Sequence, residues 1–441
     1  MRLHTTTLAL LVVGLVLGAS IGAPHALQPV AAQAVPGTIA YVRGSEIRLI
    51  EPDGSNDRAM WSAPAGDPRA PFTITSLDWR PDAGELAFAS DHERLTSIFE
   101  RDLYAVRPNG SGLRKLTNGP THAELAAFPT GSVTVTVSNL RGGGPYFVYV
   151  AGAAEPQTVG GAAGSSHTLT FNNVADWGPG RIQAVVAFFG PNRWFNASGA
   201  DVQAGRTVSS GTLTIAGAGS QFFGAFLPSW RADGSKLGFM QGCGAIKQVA
   251  VSPQPGELGE VAARPNVAGV TCYADWSPQP ASANQFLYSD LFMEGHIYRT
   301  TEGSNAAGEL LVSHAAADLL LDLQWLPDGS GFLYVLATDF SSDIQTWRTA
   351  NLYRYSFATR ATTRLTNFSG ELVRGAGVSP DGRTIVFERA ATFAGASDLW
   401  LMGQDGSNLR LLVNGGAQPD WSQNALPPQP TRRASIPFVM R

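Results

Sequence analysis

Apolar and polar residues alternate along this chain in short runs punctuated by turn residues, and one such run recurs. Trp79, Pro81, Asp82, Gly84, Leu86 and Phe88 set the phrase. It returns as Trp230, Asp233, Gly234, Leu237 and Phe239, and again as Trp276 and Pro278 followed by Phe286 and Tyr288. Trp325, Pro327, Asp328, Gly329, Phe332 and Tyr334 form the next copy. Val378, Pro380, Asp381, Gly382, Ile385 and Phe387 follow with Val in place of Trp, and a truncated copy ends at Asp420, Trp421 and Ser422. A second phrase follows the first, as in Asp102, Leu103, Tyr104, Asn109 and Gly110, or Asp398, Leu399, Trp400, Asp405 and Gly406. A third closes the unit, as in Leu116, Thr117 and Asn118, or Leu365, Thr366 and Asn367.

The pattern predicts a four-stranded antiparallel unit. A strand ends in Trp, and Pro-Asp-Gly turns the chain: Pro presets φ, Asp bonds the turn backbone and Gly accepts positive φ. An apolar strand follows, then a loop into the Asp-Leu-Tyr strand, an Asn-Gly or Asp-Gly hairpin, and an outer Arg-Leu-Thr strand. The anchors from Trp230 onward are spaced at 46, 49, 53 and 43 residues, the length of a propeller blade. The last copy stops after one strand, and the missing strands begin the mature chain at 38–42 and 46–50. Strands from both ends therefore share one blade, which removes free sheet edges. The expected fold is all-β: a six-bladed β-propeller closed by its N- and C-terminal strands. Trp79, Trp230, Trp276, Trp325 and Trp421 are its blade anchors.

Between Trp79 and Trp230 lie about 100 residues too many for one blade of the usual ~40–50. The excess, 121–217, is poor in charge. It carries strand-like runs at 131–138, 146–150, 166–171, 181–189 and 211–215. These predict a small inserted β-sandwich. The insert follows an outermost strand and precedes an innermost one, so it belongs on the face that carries the second-to-third strand loops.

Composition agrees with a turn-rich β protein. The 441 residues include 49 Gly and 28 Pro, above the usual combined share of about 12%, and only 15% are charged. Coiled coils and disordered chains are excluded on charge and apolar content. A net charge of −4 offers nothing to attract nucleic acid. Arg2 and the apolar run 8–17 read as a signal peptide, with Ala32, Gln33 and Ala34 as its cleavage pattern. An uncleaved anchor is the competing reading. The expected segments are a signal at 1–34, propeller at 35–120, insert at 121–217, propeller at 218–424 and a Pro-rich tail at 425–441. No later stretch is long enough to span a bilayer, so an exported product, periplasmic, cell-surface or secreted, is expected.

The repeats resemble those of the TolB-type β-propeller family over 37–120 and 220–423, and the insert resembles immunoglobulin-like or fibronectin-like modules in architecture. The resemblance implies the fold and leaves the chemistry open. Propeller lyases acting on oligosaccharides are similar too, and use clustered His with a metal.

Candidate chemistry lies in the loops after second strands. Asp91, Asp290, Asp339 and Glu388 recur near strand ends, where a ring of carboxylates could hold a divalent cation or a polar ligand. The competing reading is that each caps a turn or pairs with Arg101, Arg348 or Arg389. His92 and His296 could share that face, and Trp347 could stack on a sugar or pack locally. Cys243 and Cys272 approach the same face in neighbouring blades and are expected to form a disulfide in an oxidising compartment. No G-x-S-x-G, H-E-x-x-H or phosphate-binding loop is present. The expectation is a monomeric, non-catalytic scaffold without a cofactor that binds a protein or glycan. A metal-assisted polysaccharide lyase or hydrolase is the alternative.

Overall fold

The computed structural model describes residues 35–65, 72–93, 101–117, 119–189, 193–221, 224–241, 245–250, 258–260, 273–289, 296–302, 304, 306, 308–315, 317–342 and 346–427. The signal segment, Asp290, Cys243, Cys272 and the tail beyond 427 lie outside them.

The fold is all-β and built from four-stranded antiparallel sheets arranged as a β-propeller. Ile74–Trp79, Leu86–Ser90, Asp102–Val106 and Arg114–Lys115 form one such sheet in chain order. Ala225–Trp230, Lys236–Gln241, Ala245–Ala250 and Leu258–Glu260 form another, and Ala274–Trp276 through Glu309–Val312 a third. Two further groups, opening with Leu319–Trp325 and Leu372–Val378, are joined by a single parallel pairing of Ala350 with Leu372. Ala417–Trp421 pairs antiparallel with Ile39–Arg43, placing strands from both ends of the described residues in one sheet.

Each Pro-Asp-Gly turn works as its residues require. In the best-formed one, Gly329 takes φ +71°, its N–H bonds Leu326 O at 2.9 Å, and Asp328 Oδ1 accepts from Ser330 N at 2.9 Å. The second strands that follow have apolar centres, and all five residues of Leu86–Ser90 are buried. Such a strand lies between neighbouring sheets and has no solvent face, so it reads as an apolar run without alternation. Trp79, Trp230, Trp276, Trp325 and Trp421 are all buried.

Residues 130–221 make two more sheets. One holds Thr130–Asn139, Ser165–Ala175 and Thr207–Ile215; the other runs through Gln157–Gly161, Gly143–Val150, Ile182–Phe188, Arg193–Asp201 and Ser220–Gln221. Thr130–Asn139 alternates buried and accessible residues along its length, sending Val133, Val135 and Val137 into a core shared with Val148, Val150, Phe188 and Leu213. Thr207–Ile215 pairs parallel to Thr130–Asn139.

These sheets rest on the Ile74–Lys115 sheet. Register aligns Ile74, Ser90 and Asp102 along one edge. There Trp177 packs so closely on Gly119 (φ +90°) that a Cβ would fall 2.1 Å from its ring. Tyr149 of the added sheets adjoins a buried ionic cluster. Lys115 Nζ lies 3.0 Å from Glu93 and 3.1 Å from Asp102, and Asp102 also accepts from Thr117 Oγ1 at 2.7 Å. Burial works against the Lys115 charge, but the two carboxylates outweigh it and raise the pKa. Tyr149 of the added sheets is pushed up to about 12 by burial beside this cluster.

Candidate functional site: the central channel

The residue before each repeat Trp points the way to the channel. Asp78, Asp275 and Asp420 stand there, Ser229 takes the place before Trp230, and Gln324 precedes Trp325. Gly377 holds the corresponding place before Val378, where a Cβ would come within 3.4 Å of Trp421 N. Each carboxylate reaches to the next sheet. Trp79 N donates to Asp420 Oδ2 and Trp230 N to Asp78 Oδ2, both at 2.5 Å. Trp325 N donates to Asp275 Oδ2 at 2.6 Å. Ser229 Oγ relays the link, donating to Asp275 Oδ1 at 2.7 Å and accepting from Trp276 N at 2.9 Å. Asp322, three residues before Trp325, accepts from Ala376 N at 2.8 Å. Apart from the single pairing of Leu372 with Ala350, the described first strands have no strand partner on their inner side, so side-chain acceptors satisfy N–H groups that would otherwise be orphaned.

The channel leaves these carboxyls little contact with bulk water. That enclosure drives Asp275 and Asp322 up to about 7 and Asp420 up to about 6. Asp78 is also well above the usual range, through enclosure and then the charges of Asp420 and Asp275.

Two chambers flank this waist. The first, about 250 Å³, is bounded by Thr75, Tyr273, Gln324, Arg374 and Gln418 among others, near the starting ends of the first strands. The second, about 310 Å³, is walled by Trp and Pro residues of the Pro-Asp-Gly turns. Asp78, Asp275, Gln324 and Asp420 border both. Three wall residues of the first chamber, Ser76, Leu227 and Gln418, take φ of 54°, 51° and 51° at equivalent bulged positions. Left-handed backbone in a Leu stores strain, and such strain gathers at functional sites.

Glu388 stands just behind this wall. It is buried, pairs with Arg374 and accepts from Gln418 N at 2.8 Å, while Gln418 Oε1 accepts from Ser76 N at 3.1 Å. It therefore positions two chamber residues without bordering the chamber. Two polar atoms of the wall are unused: Gln324 Oε1 and Arg374 Nε are buried and make no hydrogen bond.

The remaining sequence candidates are placed elsewhere. Asp91 Oδ1 caps Thr73 N at 2.6 Å. His92 lies between Trp61 and Tyr104, with ring centroids 5.2 and 4.3 Å away; its Nδ1 contacts Ser90 Oγ at 3.0 Å, and burial depresses it to about 4. Asp339 is exposed at φ 63°. Trp347 packs on Phe340 and Phe393 and donates to Ala317 O at 2.7 Å. His296 lies 6.5 Å from the Tyr298 ring. None of these borders either chamber, and among the described residues no group of three or more His, Cys, Asp or Glu could hold a metal ion. The carboxylates that do converge are one position before the Trp anchors, a recurrence visible in the sequence as Asp-Trp at 78, 275 and 420.

No family model matches the chain. Among solved structures, it is similar to one titled as a nidogen/laminin complex, at 7% identity over 88% of this chain and 100% of that one, with a TM-score of 0.46. A functionally unknown protein from Desulfotomaculum acetoxidans aligns at 8% identity over 88% of this chain and 100% of that one, with a TM-score of 0.43. An oligogalacturonate lyase in complex with manganese aligns at 11% identity over 86% of each chain, with a TM-score of 0.35. At these scores the likenesses carry nothing further.

Proposed function

We propose that this chain is an exported, monomeric, non-catalytic propeller of TolB type. In this reading it has six blades closed by strands from both ends and carries an immunoglobulin-like insert at 121–217. It binds a protein or glycan at the channel mouth on the insert's face. The observation that carries the binding role is the unused pair at that mouth. Gln324 Oε1 can only accept, Arg374 Nε can only donate, and both are closed off from water in residues of one chamber wall, so a ligand meets them by turning those side chains. Buried polar atoms without partners are rare enough to need a cause. A ligand hydroxyl or amide supplies both a donor and an acceptor. The chamber, at about 250 Å³, is just below the usual ligand-pocket range of about 300–1,000 Å³. It suits a terminal sugar or a single inserted side chain of a larger partner held by the surrounding loops.

The test is a screen of wild type and Gln324→Leu against arrayed envelope oligosaccharides and peptides. Wild type should retain at least one member, and Gln324→Leu should lose it by about tenfold, as expected for one hydrogen bond of ~1.4 kcal/mol, with an unchanged melting temperature. Equal binding by both proteins would sink the assignment. The rival is a metal-assisted polysaccharide lyase or hydrolase. A stoichiometric divalent ion on the purified protein, together with turnover of an oligosaccharide, would replace the binding role with that one.

A further inference from the structure

The ionic cluster at the edge of the Ile74–Lys115 sheet lies apart from the channel and brings an amine and two carboxyls together out of water. The side chains of Lys115 and Asp102 are each 1% exposed, and that of Glu93 is 11% exposed. Lys115 Nζ lies 3.1 Å from Asp102 Oδ2 and 3.0 Å from Glu93 Oε2. Asp102 Oδ1 accepts from Thr117 Oγ1 at 2.7 Å, and Thr117 Oγ1 is itself fixed by Leu103 N at 3.0 Å. Glu93 is held in turn: Tyr104 OH donates to its Oε2 and His122 N to its Oε1, both at 3.2 Å. A later sheet repeats the hydroxyl link, with Thr366 Oγ1 donating to Asn351 Oδ1 at 2.9 Å. There, however, the exposed Arg364 faces Tyr353 where Lys115 faces Tyr104, and the acid is replaced by an amide.

We propose that Lys115 and Asp102 condense to an isopeptide bond, with Glu93 as the proton carrier. The ion pair is the resting state. Moving one proton from Lys115 Nζ to Asp102 Oδ2 leaves a neutral amine beside a neutral acid, an exchange that a low-dielectric site penalises far less than water does. Nζ then attacks Cγ of Asp102. Negative charge develops on Oδ1, where the Thr117 hydroxyl already donates. Glu93 takes a proton from Nζ and passes it to the Oδ2 hydroxyl, which leaves as water. One N–C bond forms, one C–O bond breaks, Glu93 returns to carboxylate, and nothing is oxidised or reduced. The product replaces two buried charges, costly to keep from water, with a neutral amide. One turnover per chain suffices, so fixed proximity replaces the need for a fast site. The bond would tie Asp102–Val106 to its outer strand Arg114–Lys115, which is only two residues long, just before the chain enters the added sheets.

The test is the intact mass of the purified full chain after denaturation in acid. The chain should be lighter by one water than its sequence from the observed N-terminus requires, and fragment spectra of a digest should join Asp102 to Lys115. Lys115→Arg keeps the charge and should restore the full mass. Glu93→Gln should lower the linked fraction at least tenfold after equal incubation. Wild type at full mass, a water lost at another position, or Glu93→Gln linking as completely as wild type would each overturn the proposal.

Discussion

A carboxyl that bridges two sheets at their inner ends is worth more than the hydrogen bond it makes. Asp275 accepts from Trp325 N and from Ser229 Oγ, and Ser229 in turn holds Trp276 N. Asp275→Ala leaves these groups stripped of partners, at about 1–3 kcal/mol for each buried group unmet. Asp275→Asn keeps an acceptor. Urea unfolding should therefore show a clear drop for Ala and a small change for Asn near neutral pH. His92 behaves oppositely to a surface imidazole, because burial between aromatic rings holds it neutral down to about pH 4. Its ring resonances should stay flat from pH 8 to 5.5, and a midpoint near 6.5 would contradict the burial seen here. The sequence marks the Trp of each repeat loudly; the Asp before it is equally regular at three copies but chemically quieter. It shifts to Asp322 where Gln324 occupies its place, and that irregularity obscures the set.

Strand placement was legible wherever the period was plain. Thr130–Asn139 alternates because one face meets a core, and Leu86–Ser90 does not because it is buried on both faces. Gln157–Gly161 and Arg193–Asp201 were not apparent as strands. The first is short and ends in glycines. The second carries Gly199 where Ile182 leaves only 2.4 Å for a Cβ, so packing across the sheet overrides propensity. The Lys115 cluster had no sequence signal at all. Its charges lie on two neighbouring strands and in the loop before them, and only the fold shows Tyr149 of the added sheets beside them. Lys115→Met removes one partner and strands Glu93 and Asp102 in the interior, at a cost of about 3–5 kcal/mol. Chemical denaturation should show that loss, whereas exchanging Arg43, half exposed beside Asp57, should cost ~0–1 kcal/mol.

Across the whole molecule, the channel is a set of acids held in low dielectric, and this sets how stability depends on pH. Burial pushes Asp275 and Asp322 up to about 7 in the folded protein, above the ordinary aspartate value of about 3.9. The folded state therefore binds more protons than the unfolded chain between those limits. Their contribution is full below pH 4 and lost as pH rises through 7. Depressed histidines oppose this only below about pH 6.5, the unperturbed His value. Melting temperature should fall from pH 6.5 to pH 8, and Asp275→Asn with Asp322→Asn should flatten that slope. A wild-type slope of zero or opposite sign would contradict the enclosure of these carboxyls.

The binding role rests on one chamber, so the most direct measurement is amide hydrogen exchange with and without the array member that wild type holds most tightly. Protection is predicted at 75–78, 226–228, 273–275 and 321–324, where the first strands form the chamber wall. Protection confined to the sheets of 130–221, or to outer strands, would contradict it.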